Sequence, residues 1–234
     1  MKLTFLFLFN LCFFLCYGQK EENKTLVVNP SKDDLVQIEK SVLKYENFIL
    51  GKLVLRDSNI YQVEMNYHQI LDQLLFINPK GDTLAISKPE NIAYAAIGTD
   101  SFFYIKKAGF LQQITHYPAF NLSARRTLKY IGRENKGPYG TYSPVNSSSS
   151  QAGAIVGDLD LQRKMQPDEQ LLFVNNIQYF ISDRFRNFYP LTKKNIFNLF
   201  SKNEEELKIY FRENDVNLNK RADLEKLMAF VQNF

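Results

Sequence analysis

Short runs of alternating apolar and polar residues, each ended by a turn sequence, dominate the chain from Phe48 to Ile114. The stretch GKLVLRDSNIYQVEMNY alternates through Leu53 and Leu55, turns at Asp57-Ser58-Asn59 and alternates again from Tyr61. Period-two alternation places successive side chains on opposite faces of a strand. Runs this short at this spacing predict an antiparallel meander, curled or partly closed, with one face packed.

The strand pattern continues on both sides of further turn sequences. The stretch LDQLLFINPKGDTLAIS predicts a hairpin, because the residues NPKGD at 78–82 lie between two apolar runs. More strands are predicted over residues 92–97, 102–105 and 110–114. The stretch LLFVNNIQYFIS predicts two strands joined by a tight turn at Asn175-Asn176.

The last part of the chain has helical periodicity instead. Thr192 is placed to cap a helix over residues 193–200, and Ser201 with Glu204 fits a capping box for a second helix. A third helix is predicted by an apolar stripe of Leu224, Leu227, Met228 and Val231. The expected fold class is therefore α+β: an antiparallel β-meander or partly closed barrel-like sheet with a C-terminal helical segment.

The first residues have the pattern of a secretory signal peptide. Lys2 precedes an apolar run from Leu3 to Leu15, which is shorter than the roughly 20 residues needed to cross a bilayer. Cys16-Tyr17-Gly18 supplies the small residues that signal peptidase requires, so cleavage before Gln19 is predicted. The mature chain would have no transmembrane span.

Both cysteines of the chain, Cys12 and Cys16, lie in this segment. A chain cleaved before Gln19 therefore has no thiol for a disulfide, a nucleophile or a metal site. The alternative is lipidation at Cys16. The bulky Leu15 disfavours it, whereas Gln19-Lys20-Glu21-Glu22 resembles the tag that directs some lipoproteins of the Bacteroidota to the cell surface.

Four segments follow from these patterns: a signal peptide at 1–18, a lead-in with a short helix at 19–46, a mainly antiparallel β domain at 47–189, and helices at 190–234 that pack on the same domain. Leu122 to Arg133 fits either a strand or a helix. A mobile loop is predicted near 132–153, where the sequence GRENKGPYGTYSPVNSSSSQAG is rich in Gly, Ser, Pro and Asn.

Positive charge is concentrated between Lys106 and Lys136, where seven basic residues face one acid, Glu134. A solvated strand face is one interpretation; the functional one is contact with an envelope protein or an anionic lipid or glycan surface. Nucleic acid is a poor partner for an exported protein. The predicted contact residues are Lys106, Lys107, Arg125, Arg126, Lys129, Arg133, Tyr139 and Tyr142.

Catalytic chemistry has little support in the sequence. His68 and His116 lack further ligands at a metal-binding spacing, and no cofactor is expected. Asp158 and Asp160 would share a face of an extended strand, which leaves open a small hydrolase or carbohydrate-active enzyme with paired carboxylates. The leading hypothesis is a non-enzymatic envelope protein that acts as an interaction or accessory protein.

Three segments together resemble a group of secreted and envelope proteins of the Bacteroidota. They are Gly51-Lys52-Leu53, MNYHQILDQLLFINPKGDTLAI at 65–86, and YFISDRFRNFYPLTKKNIFNLFSKNEEELKIYFRENDVNLNKRADLEKLMAF at 179–230. The resemblance implies export, with a periplasmic, outer-membrane-associated or extracellular location, and a meander followed by helices. It carries over no activity and no binding residue.

Overall fold

The strands that the structure describes all precede residue 191, and the three α-helices follow it, as the sequence predicts. The computed structural model describes residues 25–29, 40–144 and 168–234. Within them the strands are β1 Thr25–Val28, β2 Ile49–Leu55, β3 Ile60–His68, β4 Gln73–Ile77, β5 Thr83–Ala85, β6 Ile92–Ile97, β7 Asp100–Ile105, β8 Gly109–His116, β9 Phe120–Lys136, β10 Tyr142–Pro144, β11 Glu169–Asp183 and β12 Phe188–Pro190. The α-helices are α1 Lys193–Leu199, α2 Glu204–Glu213 and α3 Arg221–Val231.

All described strands belong to one antiparallel sheet. Its order is β1-β11-β9-β8-β7-β6-β2-β3-β4-β5, with β10 added to β9 and β12 added to β11. Most neighbours are also consecutive in the chain, which is the meander predicted from the sequence. Among the described residues the sheet stays open, since β1 and β5 form the ends of the strand order.

The predicted turns at both early hairpins are confirmed, and polar side chains fix them. At the β2–β3 turn, Ser58 has a left-handed φ of 72° and the Asp57 carboxylate accepts the Asn59 amide N–H at 3.0 Å. At the β4–β5 turn, Asn78 Oδ1 accepts N–H groups from Lys80 and Asp82, each at 2.9 Å. Side-chain acceptors of this kind satisfy backbone groups that no ladder can reach.

The sheet curls until the turn after β3 reaches β9. Four strands separate β3 from β9 in the sheet order, which would be about 24 Å in a flat sheet. Nevertheless the Leu128 amide donates to the Gln69 carbonyl at 3.0 Å. The curl encloses one core, to which Met65, Tyr67 and Phe102 belong.

The sheet is also bent near the β1 end of the strand order, where β12 lies beside β11. Phe188 of β12 and Phe103 of β7 have ring centroids 6.0 Å apart, although β11, β9 and β8 lie between their strands. Four strand spacings would put these residues about 19 Å apart on a flat surface. Leu111 of β8 is completely buried.

The three helices cover β9 and β11. Leu122 and Ile181 from the strands belong to the same core cluster as Ile196, Leu207 and Leu227 from the helices. The apolar stripe predicted for the last helix is buried, as expected. Its residues are Leu224, Leu227, Met228 and Val231. No helix in the part of the chain that the structure describes has the length and apolar character to cross a membrane.

One of the two predicted helix caps is present. The Thr192 hydroxyl accepts the Asn195 amide N–H at 3.2 Å and so caps α1. The capping box of Ser201 and Glu204 is not formed, because residues 201–203 make a 3-10 turn and α2 begins at Glu204. Asn203 precedes α2 and donates through its side chain to Glu206 at 2.8 Å.

The hairpin predicted at Asn175-Asn176 is wrong. Strand β11 runs through both residues, which pair with Leu128 and Thr127 of β9. The physical reason is the length of β9, whose 17 residues supply a ladder that continues past the two asparagines. Leu122 to Arg133, which fits strand or helix by sequence, is strand.

The described part of the loop predicted near 132–153 is strand and turn. Residues 132–136 are the end of β9, and Tyr142 to Pro144 form β10 against Lys136, Asn135 and Glu134. A short turn at Pro138–Gly140 joins the two strands, with left-handed φ values at Tyr139 and Gly140. Backbone pairing with β9 therefore orders this part of a Gly- and Pro-rich sequence. Residues 145–153 lie outside the described residues.

Candidate functional surface

The eight predicted contact residues do not form one continuous basic surface. Two of the arginines are bound to acids, one tyrosine is part of a strand pairing, and the remaining residues differ in burial and direction. The eight residues are Arg125, Arg133, Tyr142, Arg126, Tyr139, Lys106, Lys107 and Lys129.

Arg125 is part of a half-buried polar network. Its Nε donates to Asp72 Oδ2 at 2.8 Å, with the arginine side chain 31% and the aspartate side chain 11% exposed. The other oxygen of Asp72 accepts the Tyr67 hydroxyl at 2.6 Å and the Phe110 amide N–H at 3.2 Å. The positive charge of Arg125 is thus matched by a carboxylate inside the fold.

Tyr67 has a strongly perturbed hydroxyl in this network. Burial raises the pKa of Tyr67, and the charge of Asp72 and its hydrogen bond raise the pKa further, while Arg125 opposes the shift. The hydroxyl therefore stays protonated and acts as a donor to Asp72. This role is structural, because Tyr67 is buried in the core.

Arg133 and Tyr142 fix the corner where β1, β9, β10 and β11 meet. Arg133 Nη1 lies 3.1 Å from Glu169 Oε1, and Glu169 is itself buried. The Asn29 side-chain amide donates to the Tyr142 hydroxyl oxygen at 2.6 Å. Both predicted contact residues consequently join strands that are far apart in the chain.

Arg126 and Tyr139 are not part of the polar contacts described for Arg125, Arg133 and Tyr142. Successive residues of a strand point to opposite faces, so Arg126 lies on the other face of β9 from Arg125. It is half-buried. Tyr139 is completely exposed at the turn before β10.

Three lysines remain as an exposed group, which we call the lysine surface: Lys106, Lys107 and Lys129. Lys106 and Lys107 lie in the turn between β7 and β8. That turn is beside the Asp72–Arg125 pair, since a Cβ atom on Gly109 would lie 3.1 Å from Arg125 Nε. Lys129 follows Arg125 by four residues on the same face of β9, about 13 Å along the strand.

No acid neutralises the lysine surface among the residues that the structure describes. None of its three lysines forms an ion pair there. Lys129 has Val174 and then Thr25 as its neighbours across the strands, and neither is acidic. The lysine surface therefore keeps its charge available.

The two histidines occupy different environments. His68 is buried, and its Nδ1 accepts the Leu71 amide N–H at 3.2 Å; burial lowers the pKa of His68 to about 4. His116 is exposed and bonds through Nδ1 to Asn121 Oδ1. In the described ranges, no group of three or more His, Cys, Asp or Glu side chains could hold a metal ion.

His116, Asn121 and Ser182 form a chain of hydrogen bonds that has the residue types of a hydrolytic site. The Asn121 side-chain amide donates to Ser182 Oγ at 3.0 Å. Ser182 is completely buried, so a substrate cannot approach its hydroxyl. The chain of hydrogen bonds connects β8, β9 and β11 and has a structural role.

Some predicted features lie outside the described residues. They are the signal segment at 1–18, the lipidation alternative at Cys16, and the carboxylates of Asp158 and Asp160. The hypotheses that depend on them stay predictions.

Sequence reasoning missed the acids that bind the two arginines. Asp72 is 53 residues from Arg125, and Glu169 is 36 residues from Arg133. No local pattern marks such partners, because the curl of the sheet brings Asp72 to Arg125 and the β9–β11 ladder brings Glu169 to Arg133. A weak signal was present for Glu169, which lies in an acidic segment after the basic stretch. A charge count for each segment separately does not show that the two segments pair.

Comparison with protein-family models, curated proteins and solved structures gave no match to this chain.

Proposed function

We propose that the protein is a non-enzymatic interaction or accessory protein of a bacterial envelope. It binds an envelope protein or an anionic surface through the lysine surface of Lys106, Lys107 and Lys129. The single observation that carries the proposal is that these three lysines are exposed and make no ion pair with a described residue, whereas Arg125 and Arg133 of the same stretch do.

A rigid support favours this surface as a binding site. The turn that holds Lys106 and Lys107 is adjacent to the Asp72–Arg125 pair, and a hydrogen bond from the Ala108 amide to the Ile105 carbonyl closes it at 2.8 Å. Lys129 is paired with Val174 of β11, and the amide of the preceding Leu128 donates to the Gln69 carbonyl at 3.0 Å. Binding an anionic partner would then order few backbone groups, which lowers its entropic cost.

The proposed location follows from the first residues of the chain. The apolar run from Leu3 to Leu15 with a cleavage pattern before Gln19 supports export. The resemblance to envelope proteins of the Bacteroidota supports a periplasmic, outer-membrane-associated or extracellular location. Export also favours protein, lipid or glycan partners over nucleic acid.

The test is to remove the three charges without disturbing the fold. The variant is Lys106→Gln, Lys107→Gln and Lys129→Gln; the matched control is Lys80→Gln, Lys88→Gln and Lys202→Gln, which removes three exposed lysines elsewhere. Each protein is cross-linked in native envelopes, and retention on immobilised lipopolysaccharide is measured in parallel. Thermal unfolding of both variants should match that of the unaltered protein.

We expect the first variant to lose specific cross-links or retention on lipopolysaccharide at least about tenfold, because each exposed cation near an anionic surface contributes about 1 kcal/mol. The control should keep both. Equal behaviour of the two variants would show that charge number, and not this surface, determines the association.

A further inference from the structure

A second basic and aromatic surface lies in the turn between β11 and β12, which we call the arginine tip: Arg184, Phe185 and Arg186. All three residues are exposed, and Phe185 is 71% exposed. An aromatic ring exposed to this extent can bury apolar area against a partner. Tyr189, nearby on β12, is also exposed.

The backbone of the arginine tip is held in one shape by Asp183. Asp183 Oδ1 accepts amide N–H groups from Phe185 at 2.8 Å and from Asn187 at 3.0 Å, and Oδ2 accepts the Asn187 side chain at 2.8 Å. Burial alone would raise the pKa of Asp183, but the hydrogen bonds from Asn187 and Phe185, with the charge of Arg184, hold its pKa below the ordinary value. Asp183 is therefore ionised at neutral pH. Its two carboxylate oxygens stabilise the turn through the hydrogen bonds from Phe185 and Asn187.

Both guanidinium groups are placed beside aromatic rings. The Arg184 guanidinium lies 4.7 Å from the centroid of the Phe185 ring. The Arg186 guanidinium lies 5.0 Å from the centroid of Phe103, and Phe103 is buried against Phe188. Cation–π contacts with these two rings therefore position both guanidinium groups at the turn that carries Phe185.

The local charge is entirely positive beyond Asp183. Residues 184–203 contain five basic residues and no acid: Arg184, Arg186, Lys193, Lys194 and Lys202. A partner at the arginine tip would therefore meet an apolar ring flanked by cations, with no carboxylate of the same segment to repel an anion.

We propose that the arginine tip binds the surface of an anionic phospholipid bilayer, with the Phe185 ring among the lipid chains next to the headgroups and Arg184 and Arg186 on lipid phosphates. Phenylalanine is stable at this depth, and guanidinium groups bind phosphate through charge-assisted hydrogen bonds. A single ring on a protruding turn suits a soft, uniform surface. A protein anchor of this size is usually surrounded by a wider contact patch.

The bilayer proposal is tested with a local fluorescent reporter. The chain contains no tryptophan, so Phe185→Trp introduces the sole indole. The matched control is Tyr61→Trp, at an exposed position of β3 outside both surfaces. Vesicles of phosphatidylethanolamine and phosphatidylglycerol should shift the emission of the Phe185→Trp protein to shorter wavelength, and brominated lipid chains should quench it. The Tyr61→Trp protein should show neither effect.

The charge requirement is tested separately on the reporter protein. Arg184→Gln with Arg186→Gln should lower the apparent partition coefficient at least about tenfold, since two cations near the membrane surface are lost. Lys80→Gln with Lys88→Gln should leave the coefficient unchanged. Raised salt should weaken binding, and vesicles of phosphatidylcholine alone should bind poorly.

Two results would overturn the proposal: an emission of the Phe185→Trp protein that does not respond to anionic vesicles, or a response that survives the loss of both arginines. In the first case an acidic protein would be the better occupant of the tip; in the second, the arginines would have no part in the contact. Because the arginine tip and the lysine surface share no residue, failure here leaves the test of the proposed function intact.

Discussion

Arg125 of β9 binds Asp72 of the β3–β4 turn through an Nε–Oδ2 contact of 2.8 Å. The pair joins two parts of the sheet that four intervening strands separate in the strand order. The same carboxylate accepts the hydroxyl of Tyr67 and the amide of Phe110. One acid therefore holds three strands in the curled arrangement, and the Arg125-Arg126 doublet has one of its charges neutralised within the fold.

Removal of the acid should destabilise the protein. The Asp72→Ala variant leaves Arg125 without its partner and Tyr67 with an unpaired buried hydroxyl. Breaking a fully buried pair typically costs 3–5 kcal/mol; because Arg125 is partly exposed, we expect a loss of about 2 kcal/mol. Urea unfolding measures it. Lys208→Gln, which removes an exposed pair on α2, should leave the unfolding midpoint unchanged. Equal midpoints for Asp72→Ala and the unaltered protein would contradict the assignment.

The Tyr67 hydroxyl should contribute through the same carboxylate. Tyr67→Phe keeps the ring packed and removes one donor to Asp72, so we expect a loss of about 1 kcal/mol. Tyr139→Phe is the matched control, because that hydroxyl is completely exposed and its loss should have no effect. Combining Tyr67→Phe with Asp72→Ala tests the link: the double variant should cost less than the sum of the single ones.

The sheet and its hairpins were predictable because their information is local. Alternation predicts strands, and the turn residues at Asp57 and Asn78 form the side-chain bonds that their chemistry suggests. The same local reasoning failed at Asn175-Asn176. A pair of asparagines favours a turn only when no partner strand competes, and the 17-residue β9 provides that partner.

The environment of the basic residues was predictable only in part, because charge counts do not say which cations are neutralised. Lys106, Lys107 and Lys129 are exposed. Arg125 and Arg133 bind acids that the curl and the β9–β11 ladder bring to them. The arginine tip was missed for a related reason: its charge is modest by count, and its significance depends on the exposure of Phe185 and the rigid turn around it.

Gly109 should tolerate no side chain, because two separate constraints meet there. Its φ of +79° is strained for other residues, and an added Cβ would lie 1.9 Å from Asp72 Oδ2. Gly81 has a similar φ of +88° with open space around it, so Gly81→Ala measures the conformational cost alone, about 1 kcal/mol. Gly109→Ala should exceed that cost by at least about 1 kcal/mol, since it also displaces Asp72. Similar unfolding free energies for both variants would argue against a contact at Gly109.

Buried His68 should make the protein less stable in acid. Its pKa is about 4 in the folded state against 6.5 ordinarily, so between these values only the unfolded chain binds the proton. Stability is full above pH 6.5 and falls by up to about 3 kcal/mol as the pH drops to about 4. His68→Asn keeps an acceptor for the Leu71 amide and should remove this part of the slope in urea unfolding from pH 7 to 4. His116→Asn, at the exposed histidine, should retain it; the same slope in all three proteins would refute the assignment.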